Sequence, residues 1–172
     1  MKHLLILSLA LMACRSSSDR TRLTDPEIAM VIRVSNLSEV REGQLARDKA
    51  TDAGVRDFAQ MMVTDHTAAS NTAEADLARA EIPSDDSQLS RQIDASSGAA
   101  TEVLRASAAG RDFDRAYMTR QVEVHQYILG VIDQTLDPNA HSKALKKVLT
   151  DMRKTVQDHL TRAQQIQPNL AR

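Results

Sequence analysis

The chain has 172 residues and a formal net charge of −1 at pH 7, and 42% of its residues are hydrophobic although only 2% are aromatic. This length corresponds to about one domain, whose core must be built from aliphatic side chains and methionine. Five glycines and four prolines are too few for the many turns of an all-β fold, and a charge so close to zero argues against nucleic acid as a partner. The composition therefore predicts an all-α protein.

The N-terminal segment has the pattern of a bacterial lipoprotein signal. Residues 1–13 begin with Lys2 and continue as an apolar run that is too short to span a bilayer, which needs about 20 residues. Residues 11–14, Leu-Met-Ala-Cys, resemble the lipobox, where the signal is removed and the cysteine receives diacylglycerol. We predict a signal peptide over residues 1–13 and lipidation of Cys14. The alternatives are a signal-anchor and an incidental cysteine in an ordinary signal peptide.

The predicted anchor also predicts a location. Cys14 is the only cysteine in the sequence, and Arg15 follows it in place of the aspartate that retains lipoproteins at the inner membrane of enteric bacteria. We expect the protein on the periplasmic side of the cell envelope, attached to the outer membrane through its acyl chains. Residues 14–23 are interpreted as the lipidated cysteine and a short polar tether.

Five helices are predicted after the tether, within a bundle domain over residues 24–167. The first begins at Thr24 with Pro26 in its first turn and runs to about Ala50, and Thr51 and Asp52 begin the second. Apolar side chains recur at steps of three and four along each helix, as one buried face requires. The remaining boundaries are a break at residues 82–84, Gly110 before the fourth helix, and Asp137-Pro138 as the start of the fifth.

The lengths of the connections predict the topology. The first and second helices are joined tightly, as are the fourth and fifth, so each pair forms an antiparallel hairpin. Residues 81–110 link the hairpins and contain the shorter third helix. If this link climbs along the bundle, the second and fourth helices run parallel, as in the four-helix bundles of ferritin-like folds. The alternative is a simple up-and-down bundle that includes the third helix.

Several segments of the chain resemble a known family. They are Glu39, residues 58–66 (Phe-Ala-Gln-Met-Met-Val-Thr-Asp-His), residues 110–117 (Gly-Arg-Asp-Phe-Asp-Arg-Ala-Tyr), His125 and residues 158–160 (Asp-His-Leu). Together they resemble the bacterial domain-of-unknown-function 4142 (DUF4142) family over roughly residues 24–166. The resemblance implies a ferritin-like helical bundle in the periplasm or at the outer membrane, among proteins often labelled as outer-membrane proteins. It implies no established reaction.

Ionisable side chains fall on the predicted core faces of four helices. They are Glu39 and Glu42 on the first helix, His66 on the second, His125 on the fourth and His159 on the fifth. Burial of such groups costs several kcal/mol unless they are paired or bound to a metal. Four helices thus each direct a side chain that could bind a metal towards the core.

The depth of each side chain in the bundle can be estimated by counting from the turns at a rise of about 1.5 Å per residue. Glu39 and His66 fall at similar depth on either side of a turn near residue 51. With the last turn near residue 137, His125 and His159 lie roughly 15 Å apart in depth, and Asp114 is level with His159. Two alternative metal sites follow, one of Glu39, His66, Asp114 and His159, the other of Glu39, His66 and His125. The length of the third helix favours the first.

A mixed histidine and carboxylate site suits zinc, iron or manganese, and Met62 near His66 leaves copper open. The Glu-x-x-His motif of ferritin di-iron sites is absent, because Val63, Val122 and Val156 precede the three histidines by three residues. The alternative to a metal is a buried polar network in which Glu39 pairs with His66.

These features predict a lipid-anchored structural or interaction module of the envelope. The alternative function is metal binding in the bundle core, with a role in metal or stress handling. The sequence contains no glycine-rich phosphate loop, nucleophile elbow or paired-cysteine zinc motif, so we do not expect an enzyme.

Overall fold

A computed structural model describes residues 22–171, which form an all-α helical bundle without strands in that range. The helices are α1 (Asp25–Lys49), α2 (Ala53–Arg79), α3 (Gln88–Ala106), α4 (Arg111–Val131), α5 (Asp137–Asn139) and α6 (Lys143–Ile166), with a π-helical turn at Ile132–Leu136 and a 3-10 turn at Gln167–Ala171. The predicted all-α bundle is confirmed. The predicted signal peptide, Cys14 and the tether up to residue 21 lie outside the described residues.

The helix starts follow local capping chemistry. Thr24 and Glu27 form a capping box at the start of α1, with the Thr24 amide donating to the Glu27 carboxylate at 2.8 Å. Asp52 caps α2 by accepting the Val55 amide at 3.1 Å. The third helix begins later than the break at residues 82–84 suggested, because Ser87 is its cap.

Hydrogen bonds between the ends of the helices establish the topology. The Asp25 carboxylate accepts the amides of His141 and Ser142, both at 2.8 Å, so α1 and α6 begin at the same end of the bundle. At the other end Lys49 donates to the carbonyl oxygens of Leu104 and Arg105, where α3 finishes. The connection through α3 thus climbs the length of the bundle, and α2 and α4 run parallel.

The last turn differs from the prediction. Helical structure continues from α4 through the π-helical turn, which lies directly before α5 and Pro138, and it ends only at Asn139. Ser142 caps α6 by accepting the Ala144 amide at 3.2 Å. Asp137-Pro138 therefore does not begin the last long helix, and the turn lies at residues 140–142.

The core consists of two apolar clusters separated by a polar middle layer. One cluster lies towards the start of α1 and includes Ile28, Ile32 and Leu145, and the other lies towards the α1–α2 turn and includes Phe58 and Phe113. Buried polar side chains interrupt the apolar face of each long helix between these clusters. They are Ser35, Asn36, Ser38, Glu39, Glu42, His66, Ser70, Gln121, His125 and His159.

Helix packing leaves one side of the bundle more open than the others. Helix α1 packs on α2 and α3, α2 packs on α6, and α6 packs on α4, whereas α3 makes only slight contact with α4. A cavity therefore forms between α1, α3 and α4 beside the polar middle layer. None of the described helices has the length and hydrophobicity needed to span a membrane.

Candidate metal centre

Three histidines from three helices meet in the polar middle layer. His66 of α2, His125 of α4 and His159 of α6 are all buried. Their ring centroids lie 6.1 Å (His66 to His125), 5.0 Å (His66 to His159) and 5.6 Å (His125 to His159) apart. One ring nitrogen from each histidine lies within 4.8 Å of those of the other two. The three rings therefore surround a single point.

Each ring uses one nitrogen to donate to a fixed acceptor. His66 Nδ1 lies 2.9 Å from Asn36 Oδ1, His125 Nδ1 lies 2.8 Å from the carbonyl oxygen of Gln121, and His159 Nε2 lies 3.0 Å from Asp65 Oδ2. The Asn36 amide is itself oriented, because its Nδ2 donates to the Ile32 carbonyl at 2.9 Å. All three partners accept hydrogen bonds, so these nitrogens carry the protons.

The other nitrogen of each ring has no partner among the described residues. These atoms are His66 Nε2, His125 Nε2 and His159 Nδ1. Each of these atoms lies outside hydrogen-bond distance of the other two, so the rings do not satisfy one another. A buried acceptor without a donor costs roughly 1–3 kcal/mol. A bound cation satisfies all three lone pairs at once, and ligating histidines usually donate their second N–H to a carboxylate, carbonyl or water, as these do.

The surroundings favour the neutral form of two of the rings, which is the form that binds metal. Burial lowers the pKa of His66 well below 6.5, and the neighbouring histidines lower it further. Burial also lowers the pKa of His125 to about 3, with His159 acting in the same direction. Protons therefore do not compete for these two nitrogens near neutral pH.

The spacing fits a small metal ion after a modest contraction. A tetrahedral metal bound at about 2.0–2.1 Å places imidazole nitrogens about 3.4 Å apart. From separations of up to 4.8 Å, each ring needs to move inward by about 1 Å or less. Three protein ligands leave at least one further coordination position.

The structure brings His125 and His159 together, although the depth estimate placed them apart. The estimate was wrong because it put the last turn near residue 137, whereas the turn lies at residues 140–142. Counted from the true turn, both histidines lie at nearly the same depth. Neither predicted ligand set is reproduced, since His66 belonged to both alternatives, His159 only to the first and His125 only to the second.

Asp114 does not belong to the centre and was wrongly predicted there. It lies at the start of α4, where its carboxylate accepts the Thr51 amide at 3.0 Å, the Thr51 hydroxyl at 2.6 Å and the Asp52 amide at 2.9 Å. These groups belong to the α1–α2 turn. Asp114 therefore ties α4 to that turn at the end of the bundle.

Glu42 and Glu39 form a second polar group in the same layer. Glu42 is fully buried and accepts hydrogen bonds from Ser97 at 2.9 Å and from Arg120 at 3.2 Å. Glu39 is not one of the residues whose ligand atoms converge with the histidines, and its Oε2 has no partner among the described residues. Burial and the nearby Glu42 raise the pKa of Glu39 to about 8, so it is mostly a neutral acid at pH 7.

Two residues that orient the histidines were missed in the sequence. Asn36 lies 15 residues before Thr51, and His66 lies 15 residues after it, so counting from the turn could have paired them. The position of Asp65, directly before the core residue His66, predicts an exposed acid. Its side chain is 43% exposed, yet it also reaches the His159 ring across the α2–α6 interface. Only helix packing shows that contact.

Fold and site together define an all-α bundle with a buried three-histidine centre. The chain belongs to the DUF4142 family, because the family described as "Domain of unknown function (DUF4142)" matches residues 12–166. The comparison with curated proteins found no match, and neither did the comparison with solved structures.

Proposed function

We propose that this protein binds one divalent transition-metal ion through His66, His125 and His159. The supporting observation is that three buried imidazoles each place one ring nitrogen within 4.8 Å of those of the other two. One nitrogen of each ring also donates to a fixed acceptor. A structural polar network satisfies its own donors and acceptors, whereas this cluster leaves three ring nitrogens without a partner among the described residues.

The ligand set favours zinc or copper over manganese. Imidazole suits zinc, copper, nickel and iron, whereas manganese prefers oxygen ligands. Three histidines with an open position form the arrangement of several zinc sites at which the metal also binds a further molecule. We therefore expect zinc to bind with one equivalent per chain and cobalt to substitute for it.

Metal affinity tests this proposal directly. The full chain, purified without an affinity tag and stripped with a chelator, is titrated with zinc and cobalt, and bound metal is measured by mass spectrometry. We expect one equivalent in the wild type and loss of at least about 100-fold in affinity in His66→Ala, His125→Ala and His159→Ala. Asp65→Asn keeps all three ligands and is expected to weaken binding by about 10–100-fold.

His141→Ala is the matched control, because His141 is exposed and lies in the turn before α6. Circular dichroism confirms that each variant keeps its helices. Equal binding in wild type and His125→Ala contradicts the proposed ligand set. A wild type that binds no zinc, cobalt, copper or iron contradicts the proposed metal-binding function and favours the other predicted function, a structural or interaction module.

We further propose that the protein carries this centre at the periplasmic face of the outer membrane, anchored through lipid on Cys14. The support is the lipobox-like pattern at residues 11–14, which includes the only cysteine of the chain. Labelled palmitate is expected to enter the wild type and not Cys14→Ser. Equal labelling of both proteins, or labelling of neither, contradicts the anchor.

A further inference from the structure

The cavity between α1, α3 and α4 leads from the surface to the histidine centre. It encloses about 440 Å³, within the range of small-molecule sites. Tyr127, which is 52% exposed, lines it together with His125 of the centre and Val156, one turn before His159. A molecule in this cavity therefore lies beside the centre.

The walls combine an apolar surface with a few polar groups that lack partners. Ile93, Val124 and Ile128 supply apolar surface. Ser35 and Glu39 also line the cavity, are more than nine-tenths buried, and present Ser35 Oγ and Glu39 Oε2 without a partner among the described residues. An apolar pocket with a few polar groups is typical of a site for a small organic molecule.

Charge favours an anion in this cavity. Three imidazoles bring no negative charge to a divalent metal, and the Asp65 carboxylate that accepts from His159 offsets only one of its two positive charges. Arg120 and Glu42 form an ion pair at 3.2 Å and cancel each other. In the metal-free protein, burial and Glu42 raise the pKa of Glu39 to about 8, so at pH 7 its carboxyl holds a proton that it can donate in a hydrogen bond. A buried uncompensated charge is unfavourable, and an anionic ligand removes it.

We propose that this cavity binds a small monocarboxylate, which coordinates the metal through one oxygen and accepts hydrogen bonds from Ser35 and Glu39 through the other. A short hydrocarbon tail then lies against Ile93, Val124 and Ile128. The inference rests on the proposed metal centre. It assigns the open coordination position to a molecule from outside the chain and makes Glu39 a partner of that molecule instead of a ligand of the metal.

The test uses the full chain loaded with cobalt, whose visible bands report changes in coordination. Butyrate is expected to shift these bands with saturation, whereas butylammonium, which has the same number of carbon atoms and the opposite charge, is not. Ser35→Ala and Glu39→Leu each remove a donor and are expected to weaken butyrate binding by about tenfold with cobalt affinity unchanged. Glu39→Gln keeps a donor, because its amide carries N–H groups, and is expected to retain both butyrate and cobalt binding. Ile93→Phe, which narrows the cavity, is expected to weaken butyrate binding by a larger factor.

Ala69→Leu is the matched control, because Ala69 lines the separate groove between α2 and α6 that also reaches His159. Butyrate binding that is unchanged in Ile93→Phe, or lost in Ala69→Leu alone, contradicts the assignment to this cavity. Cobalt that binds without any response to butyrate overturns the inference and leaves the metal centre intact. Loss of cobalt in Glu39→Gln makes Glu39 a ligand and also overturns the inference. Failure of the wild type to bind cobalt overturns both proposals.

Discussion

The polar middle of the bundle contains two groups of buried ionisable side chains that differ in one respect. Around Glu42, each acceptor oxygen has donors, since Ser97, Arg120 and Gln121 lie within 3.5 Å of it. The histidine centre has the opposite character, with one lone pair of each ring unpartnered. The Glu42 carboxylate is satisfied by its neighbours, whereas the histidine centre has three ring nitrogens without a partner among the described residues.

This difference shows that burial of a polar residue does not by itself identify a site. Both groups lie on core faces, and both looked equally suitable for metal from the periodicity of the sequence. They differ in whether their buried acceptor atoms have hydrogen-bond donors. A group whose atoms all have partners gains no hydrogen bond or coordination bond from a ligand, whereas an unsatisfied group does.

The largest expected effect on the free energy of unfolding is at the ion pair of Glu42 and Arg120. Arg120→Ala removes the counter-charge of the fully buried Glu42, and breaking such a pair typically costs about 3–5 kcal/mol. Urea unfolding of the metal-free protein measures this loss. Arg115→Ala breaks the exposed pair with Asp112 on the same helix and is expected to change stability by under about 0.5 kcal/mol. Equal effects in both variants contradict the distinction.

The next effect is a pH dependence that comes from Glu39. Its pKa rises from 4.5 to about 8 on folding, so the folded protein holds a proton that the unfolded chain releases in this range. This contribution is complete below pH 4.5 and is lost as pH rises to 8. The lowered pKa values of His66 and of His125, the latter about 3, give the opposite slope, which is steepest below pH 6.5 and fades by about pH 7.5.

Between pH 7 and 8 the Glu39 contribution dominates. The metal-free wild type is expected to lose on the order of 1 kcal/mol of stability over that interval. Glu39→Gln is expected to remain level or to gain slightly. Urea unfolding at pH 7, 7.5 and 8 measures both profiles, and a loss that persists in Glu39→Gln assigns the proton to another group.

A substitution at Asp114 distinguishes a capping role of this residue from its predicted role as a metal ligand. Asp114→Ala leaves the Thr51 and Asp52 groups without their acceptor, and we expect a loss of about 1–2 kcal/mol in unfolding free energy with unchanged zinc affinity. Asp112→Ala, in the same turn but 91% exposed at its side chain, serves as control. Loss of zinc with unchanged stability restores the ligand role.

The smallest effect is expected in the metal-free histidine centre. His125→Leu removes a ring whose Nε2 has no partner and replaces it with an apolar side chain. The loss of the hydrogen bond to Gln121 is offset by the removal of an unsatisfied acceptor, so we expect a net change of under about 1 kcal/mol. Unfolding curves with and without zinc distinguish this small effect from the loss of zinc stabilisation. A loss of about 3 kcal/mol or more without metal assigns the ring a structural role.

The amino-acid sequence by itself determined the all-α class, the starts of α1 and α2, and the placement of five ionisable residues in the core. These features are local, since caps act within one turn and apolar periodicity reports one face of one helix. The family could also be identified from sequence, because short segments such as residues 58–66 are distinctive.

Only the tertiary structure decided which of those residues meet. The layer shared by His66, His125 and His159 depends on where the α4–α6 turn lies, and a π-helical turn with Pro138 just beyond it moved that turn by about four residues, or roughly 6 Å of helix. Asp114 binds the α1–α2 turn and not the histidine centre, and Asp65 accepts a hydrogen bond from His159 although it was expected to be an exposed acid. A side chain near a helix end or on a partly exposed face acquires its partner from a neighbouring helix, and the sequence of one helix does not contain that neighbour.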